Sequence, residues 1–130
     1  WKTLARASAL LLLTTTFTDV TGMTVTLVNA GTYLIRCVCD VQFDTLSAGN
    51  SMSFEGRLVV NGVAQTGIAT LSFLPQVNTE LLRASVAQEW VYTAASAGLV
   101  AKIQGRKGTA VGVAAVFADN SIIVAQQVST

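Results

Sequence analysis

The stretch TYLIRCVCDVQFD, residues 32–44, decides the fold class because its side chains alternate between two faces along its whole length. One face carries Tyr33, Ile35, Cys37, Cys39, Val41 and Phe43. The other face carries Leu34, Arg36, Val38, Asp40 and Gln42. A period of two with one apolar face is typical of a half-buried β-strand. We therefore predict a long strand here, beginning just after Gly31.

Shorter strand patterns flank this stretch, and turn residues separate them. Residues 9–17 predict one strand, and a second contains Met23, Val25 and Leu27, with Asp19 and Gly22 between the two. After a polar loop at 47–51, residues 54–60 alternate and end at Asn61-Gly62, which predicts a type I′ hairpin turn. Residues 74–78 predict a loop and residues 105–108 a turn. Further strands are predicted at 82–92 and 99–104.

The last two predicted strands, residues 109–118 and 121–128, are apolar on both faces. A strand of this kind in a two-layer sandwich needs a cover on its outer side, and a neighbouring subunit is the simplest cover. We expect the small-residue face to form a contact between copies of the chain. The residues assigned to it are Ala110, Gly112, Ala114, Val116, Ile123 and Ala125.

About eight short antiparallel strands punctuated by Gly and Asn predict an all-β fold, a jelly-roll β-sandwich. The 130 residues fit a single domain, which we place at 9–130 after an N-terminal arm at 1–8. Lys2 and Arg6, followed by residues 7–13, admit a second interpretation as a short signal peptide, which competes with a β-strand. We assign Trp1, Lys2 and Arg6 to contact with a partner.

The composition points to an oligomer. Apolar residues make up 52% of the chain and charged residues only 12%, against about 25% in ordinary soluble domains. No apolar run approaches the roughly 20 residues of a membrane-spanning helix, so we expect no membrane partner. The net charge is +1 with mostly scattered cations, which does not suit nucleic-acid binding. Association of copies through apolar strand faces is therefore the remaining way to remove these apolar residues from water.

Catalytic and metal chemistry find little support in the sequence. The chain has no His, which excludes Ser-His-Asp and Cys-His nucleophiles. Asp40 and Asp44 would lie about 13 Å apart along a strand, too far for a glycosidase pair. A calcium site built on these two is the alternative to simple solvation. Cys37 and Cys39 share a strand face, which suits a disulfide badly, so we predict buried free thiols. We expect no enzyme activity, cofactor, metal or small-molecule substrate.

Aromatic and basic side chains each allow two interpretations. Trp90 and Tyr92 share a strand face with Leu82 and Val86, which favours core packing over stacking on a sugar. Arg36, Arg57 and Arg83 lie on polar strand faces and either pair with Glu55 or Glu89 or anchor an interface. The turn at Arg106-Lys107 either protects a sheet edge or contacts an acidic shell or polysaccharide.

The order of these motifs resembles the tumour necrosis factor-like and complement globular-head superfamily, especially its jelly rolls on bacteriophage virions. The matching motifs are Gly31-Thr32-Tyr33-Leu34-Ile35, Leu58-Val59-Val60-Asn61-Gly62, Trp90 with Tyr92, Ala97-Gly98-Leu99-Val100-Ala101 and the apolar terminal strand. The resemblance covers roughly residues 9–128. It implies a homotrimer packed through apolar faces around a three-fold axis.

From this resemblance we expect a virion structural protein, a trimeric capsid decoration or head-fibre protein that stabilises the shell. Its partner would be the major capsid protein or another virion protein. It would be made in the host cytoplasm and located on the capsid surface. A receptor-binding or glycan-binding tip of a phage tail fibre is the alternative, and a secreted signalling trimer is a third possibility.

Overall fold

The computed structural model describes residues 1–46, 49–76, 80–108 and 112–130, with backbone alone at 45, 46, 80, 118 and 119. These residues form nine β-strands and no helix. The strands are β1 (Lys2–Arg6), β2 (Leu11–Leu12), β3 (Thr18–Leu27), β4 (Gly31–Leu46), β5 (Met52–Val60), β6 (Val63–Phe73), β7 (Glu80–Ala94), β8 (Leu99–Lys107) and β9 (Val113–Ser129). No described segment is a helix of the length and apolarity that a membrane span requires.

The strands form two antiparallel sheets. The first sheet has the order β1-β9-β4-β7, with the short β2 also paired to β9. The second sheet has the order β3-β8-β5-β6. From β3 onward the chain alternates between the sheets, apart from the β5-β6 hairpin. This crossing pattern places sequentially distant strands side by side, as in a jelly roll.

The central strand β4 confirms the prediction made from its sequence. All six residues of its apolar face are completely buried: Tyr33, Ile35, Cys37, Cys39, Val41 and Phe43. They face Phe54, Leu58 and other inward residues of the second sheet in one core. The hairpin between β5 and β6 also forms as predicted, with Asn61 at φ 49° and Gly62 at φ 83°, both in the left-handed region.

The N-terminal segment departs from the predicted arm. Lys2–Arg6 is β1, an edge strand that pairs in register with β9 from Gln126 to Ile122. Residues 1–8 therefore contain a strand of the sandwich. The strand predicted at 9–17 is reduced to Leu11–Leu12. Thr14 explains the break, because its hydroxyl donates to the carbonyl of Thr16 and accepts from the Thr16 amide, a local turn that competes with strand pairing.

The turn predicted at residues 105–108 is wrong over most of its length. Strand β8 continues through Gly105 and Arg106 and ends at Lys107. A Cβ at Gly105 would lie 2.9 Å from the Phe54 ring, so this glycine makes room for a core aromatic and does not turn the chain. Residues 109–111, which begin the next predicted strand, lie outside the described residues.

The predicted contact between copies is on the wrong face of β9. Ala114, Val116, Ile123 and Ala125 are all buried in the core of the chain itself. Ala114 pairs with Phe43 and Val116 with Val41, so small side chains fill the space beside large ones on the inner face. Gly112 precedes β9 and is half-buried, and Ala110 lies outside the described residues.

Candidate functional site

The outer face of the first sheet is the candidate site because apolar side chains cover it. The register aligns its residues in rows across β1, β9, β4 and β7. The rows are Lys2–Gln126–Leu34–Val91, Leu4–Val124–Arg36–Glu89 and Arg6–Ile122–Val38–Ala87. Beyond a bulge in β9 the face continues with Phe117–Asp40–Ser85, Ala115–Gln42–Arg83 and Val113–Asp44.

Six apolar residues of the first three rows form what we call the outer patch: Leu4, Leu34, Val38, Val91, Ile122 and Val124. Val91 is 76% exposed and Leu4 is 49% exposed, whereas the residues on β4 and β9 are half-buried. A depression of about 360 Å³ lies over the patch, between Lys2, Arg36 and Glu89 at its rim. A contiguous apolar surface of this kind on a sheet is typical of an interaction site.

One ion pair crosses the outer patch. Nε of Arg36 lies 3.8 Å from Oε1 of Glu89, and both side chains are more than half exposed. An exposed pair of this kind adds little to the stability of a single chain. It places two opposite charges, which cancel, among the apolar side chains of the patch.

A second polar cluster lies at the other end of the same face. Nε and Nη2 of Arg83 donate to the carboxylate of Asp40, the latter at 2.7 Å, and Asn120 donates to the same carboxylate at 3.4 Å. The Arg83 guanidinium also lies over the Phe117 ring, 4.1 Å from its centroid. The hydrogen bonds from Arg83 lower the pKa of Asp40, while burial opposes the shift. The charges of Arg83 and Asp40 cancel, and the hydrogen bonds of the cluster are made within the chain.

The aromatic residues that the sequence offered for sugar stacking are tied to the fold. Trp90 is buried, and its indole Nε1 donates to the carbonyl of Gly67 at 3.1 Å. Tyr92 is half-buried and packs against the core. Trp1, predicted to reach a partner, packs edge-on against Tyr33 with ring centroids 5.9 Å apart. Lys2 and Arg6 are exposed on the outer face of β1.

The two cysteines lie where the sequence placed them. Cys37 and Cys39 are free and completely buried. A hydrogen bond between them lowers the pKa of Cys37 and raises that of Cys39, and burial raises both. Within the described residues, no group of three His, Cys, Asp or Glu side chains is arranged to hold a metal.

The pairing of the predicted arginines was visible only in part from sequence. Arg36 pairs with Glu89 as anticipated, but Arg83 pairs with Asp40. Glu55 pairs with Arg106 at 2.6 Å, and Arg57 hydrogen-bonds Gln104 instead. No contact was predicted for Phe117 or Phe17, each of which lies under an arginine. Neither contact has a local sequence signal, because each joins strands distant in the chain.

No protein-family model matches the chain, and no curated protein matches it in sequence. Among solved structures, the chain is similar to the Eiger TNF from S. frugiperda, with a TM-score of 0.64 and 12% identity over 98% of this chain and 91% of that one. It also aligns with rabbit GITRL, with a TM-score of 0.43 and 14% identity over 88% and 78% of the two chains. The Eiger likeness shows a tumour necrosis factor-like jelly roll and confirms the predicted fold class.

Proposed function

We propose that the chain is a non-catalytic assembly protein that forms a homotrimer through the outer face of its first sheet. The observation that carries the proposal is the outer patch, which is apolar, continuous across four strands and uncovered by any described part of the chain. Burying it between copies would remove apolar surface from water at a gain of about 25 cal/mol per Å².

The face is large enough to contribute to such an assembly but not to form it alone. Strands about 4.8 Å apart and rows about 6.7 Å apart give the six rows an area on the order of 600 Å². A stable complex buries about 800 Å² on each partner and each copy of a trimer makes two contacts, so residues at the edges of the sheet take part as well. The Arg36–Glu89 pair brings no net charge into the contact, so its burial does not leave an isolated ion.

A closed three-fold assembly needs two different, complementary surfaces on each copy. The first sheet offers both. Val91 protrudes from the edge strand β7, and the depression lies over β1, β9 and β4. We assign Val91 of one copy to contact the depression of the next. In this arrangement Lys2, at the rim of the depression, and Arg6, in the third row, lie at the contact between copies and are assigned to it instead of to a separate partner.

For the trimer we propose the role of a decoration protein on the surface of a virion capsid, bound to the major capsid protein or another virion protein. A protein that binds the assembled shell and not its free subunits stabilises the shell by that difference in affinity, and three linked contacts raise the avidity. The tail-fibre alternative has less support, because Trp90 is not available as a sugar-stacking platform.

The test of assembly is the mass of the purified chain in solution, by light scattering and mass photometry over a range of concentrations. The expected mass is three times the 13.6 kDa of one chain. Val91→Glu should give a folded monomer, because the side chain is exposed in the single chain but central to the contact. Val63→Glu is the matched control, since Val63 is 63% exposed on the second sheet. A wild-type monomer, or a trimer that survives Val91→Glu, would contradict the proposal.

The test of the virion role uses an antibody against the chain on cultures that produce it naturally. Density-gradient fractions are probed for the chain, and shells in the particle fraction are examined by immunogold electron microscopy. The decoration role predicts that the chain sediments with intact shells and labels their outer surface. Recovery only as free trimer would contradict this role without affecting the trimer itself, and labelling confined to tail tips would favour the alternative.

A further inference from the structure

The outer face of the second sheet carries an aromatic ring flanked by two guanidinium groups. Phe17 directly precedes β3. The guanidinium carbon of Arg57, on β5, lies 4.0 Å from its ring centroid, and that of Arg106, on β8, lies 4.3 Å from it. Cation–π contacts at these distances restrain flexible arginine side chains. The ring therefore holds two cations in fixed positions at the centre of this face.

A chain of hydrogen bonds fixes Arg57 further. The side-chain amide of Gln104 donates to Asp19 at 2.8 Å, which turns its oxygen toward Arg57. That oxygen accepts from Nε of Arg57 at 3.0 Å. Asp19 also accepts from Nζ of Lys102 at 2.8 Å, and these two hydrogen bonds lower the pKa of Asp19. The carboxylate stays ionised near neutral pH and keeps the orientation of Gln104.

The charges of this cluster do not balance. Oε2 of Glu55 lies 2.6 Å from Nε of Arg106, and Oδ2 of Asp19 lies 2.8 Å from Nζ of Lys102. Each carboxylate neutralises the cation beside it. Arg57 makes no ion pair with a described carboxylate and hydrogen-bonds to protein only through Nε in the part of the chain that the structure describes. Its two terminal amino groups therefore keep their donors for a ligand. Such a planar fork matches the two oxygens of a carboxylate.

We propose that this face is a second docking surface, on which Arg57, held by Phe17 and Gln104, binds a carboxylate side chain of an acidic polypeptide. It lies on the opposite sheet from the outer patch, so it stays accessible when that patch is covered. The proposal is independent of the trimer, because it concerns one chain and a different partner.

The remainder of the face favours a polypeptide over an acidic polysaccharide. Two guanidinium groups already lie against the Phe17 ring, at 4.0 and 4.3 Å from its centroid, and they compete with a sugar ring for stacking there. Around it, exposed Thr24, Thr26 and Thr70 project hydroxyls from pleated strands, and Ile68 lies beside Arg57 as an apolar neighbour. An open sheet surface of hydroxyls, the exposed side chains of Ile68 and Val100, and one unmatched cation complements a protein surface that bears a carboxylate.

The test is the affinity of a fluorescein-labelled oligoglutamate peptide for the full chain, measured by fluorescence anisotropy at low and at physiological salt. Arg57→Gln should weaken binding roughly tenfold or more. Arg57→Lys should lose most of the affinity as well, because an ammonium keeps the charge but not the two-pronged geometry. Val28→Glu, which makes the same change in net charge in the turn between β3 and β4, where Val28 is 43% exposed, is the matched control and should bind like the wild type. Masses are measured in parallel, so that a failure of trimer assembly is seen separately.

Four outcomes would overturn the proposal. The first is an equal loss of affinity in Arg57→Gln and Val28→Glu, which would show that only net charge matters. The second is full affinity in Arg57→Lys, which would show that the planar guanidinium has no special role. The third is tighter binding of heparin than of oligoglutamate with the same dependence on Arg57, which would assign the face to an acidic polysaccharide. The fourth is absence of peptide binding to the wild-type chain.

Discussion

Asp40 on β4 and Arg83 on β7 form an ion pair that runs diagonally between the two strands, with Nη2 of Arg83 2.7 Å from Oδ2 of Asp40. The Asp40 side chain is buried, whereas the Arg83 side chain is partly exposed. The carboxylate is almost completely covered, and the guanidinium is stacked on Phe117. The Asp40 amide in turn donates to the hydroxyl of Ser121 at 2.9 Å, within the bulge in β9. This pair therefore joins three strands of the first sheet where their regular register is interrupted.

We predict that Asp40→Asn destabilises the fold by about 1–3 kcal/mol at neutral pH, because it leaves the Arg83 donors without their charged partner. The pKa of Asp40 is lowered in the folded state, so its contribution to stability is present above the unfolded value near 3.8 and is lost as the pH falls through the folded value. Urea unfolding of the wild type and of Asp40→Asn, at the same protein concentration, should show that the difference between their free energies of unfolding becomes smaller below pH 4.

Glu89→Gln is the control for the ion-pair prediction, since its partner Arg36 is exposed and the pair is 3.8 Å long. Its effect on the free energy of unfolding, measured on the monomeric Val91→Glu background, should stay within about 0.5 kcal/mol. If the free energies of unfolding of Asp40→Asn and wild type differ at pH 2 by as much as at neutral pH, the effect is one of packing and not of charge.

The sequence was sufficient to predict the strands whose two faces differ strongly. In β4 the alternation from Tyr33 to Phe43 identified all six residues that enter the core, because one face must enter the core and the other must not. The Asn61-Gly62 turn was equally predictable, since few residue pairs tolerate its backbone angles. These features depend on local chemistry alone.

Strand β9 shows where sequence reasoning fails. Both of its faces are apolar, so periodicity does not say which one points inward. The answer depends on Phe43 and Val41 of β4, which leave space only for small neighbours such as Ala114. The outer patch was missed for the same reason: Leu34 and Val38 were predicted to lie outward, but their juxtaposition with Val124 and Val91 follows from a register set by the whole fold.

Tyr33→Phe should lower the free energy of unfolding by about 1–2 kcal/mol. The phenol donates to the carbonyl of Asn29 at 2.9 Å and accepts from the Asn29 amide at 3.2 Å, which closes the turn between β3 and β4. Tyr92→Phe is the matched control, because Tyr92 is half-buried and should change stability by less than about 0.5 kcal/mol. Equal effects of the two changes on chemical denaturation would exclude a specific role for the turn.

Cys37 and Cys39 should resist thiol reagents in the folded protein. Both are completely buried, and a reagent reaches them only through opening of the sandwich. Without denaturant, the reaction with Ellman's reagent should be slow and limited by unfolding, and in denaturant both thiols should react at once. Val91→Glu, if monomeric, should leave this protection intact, since the thiols face the core and not the outer patch. Rapid native labelling would contradict the burial of β4.

Gly22→Ala should destabilise the chain far more than Gly62→Ala, although both glycines have a similar positive φ, 90° and 83°. A Cβ at Gly62 meets nothing within 4 Å, so its cost is the backbone strain of about 1–2 kcal/mol. A Cβ at Gly22 would collide with the carbonyl oxygen of Arg6 and lie 2.6 Å from the amide nitrogen of Ser8, where the chain has just left β1 and lies beside β3. Because backbone atoms cannot move aside as a flexible side chain can, we expect an added cost of at least about 2 kcal/mol, measured by thermal and urea unfolding. Equal effects of the two substitutions would show that β1 does not dock beside the β3 bulge, and that residues 1–8 behave as the free arm that their sequence predicts.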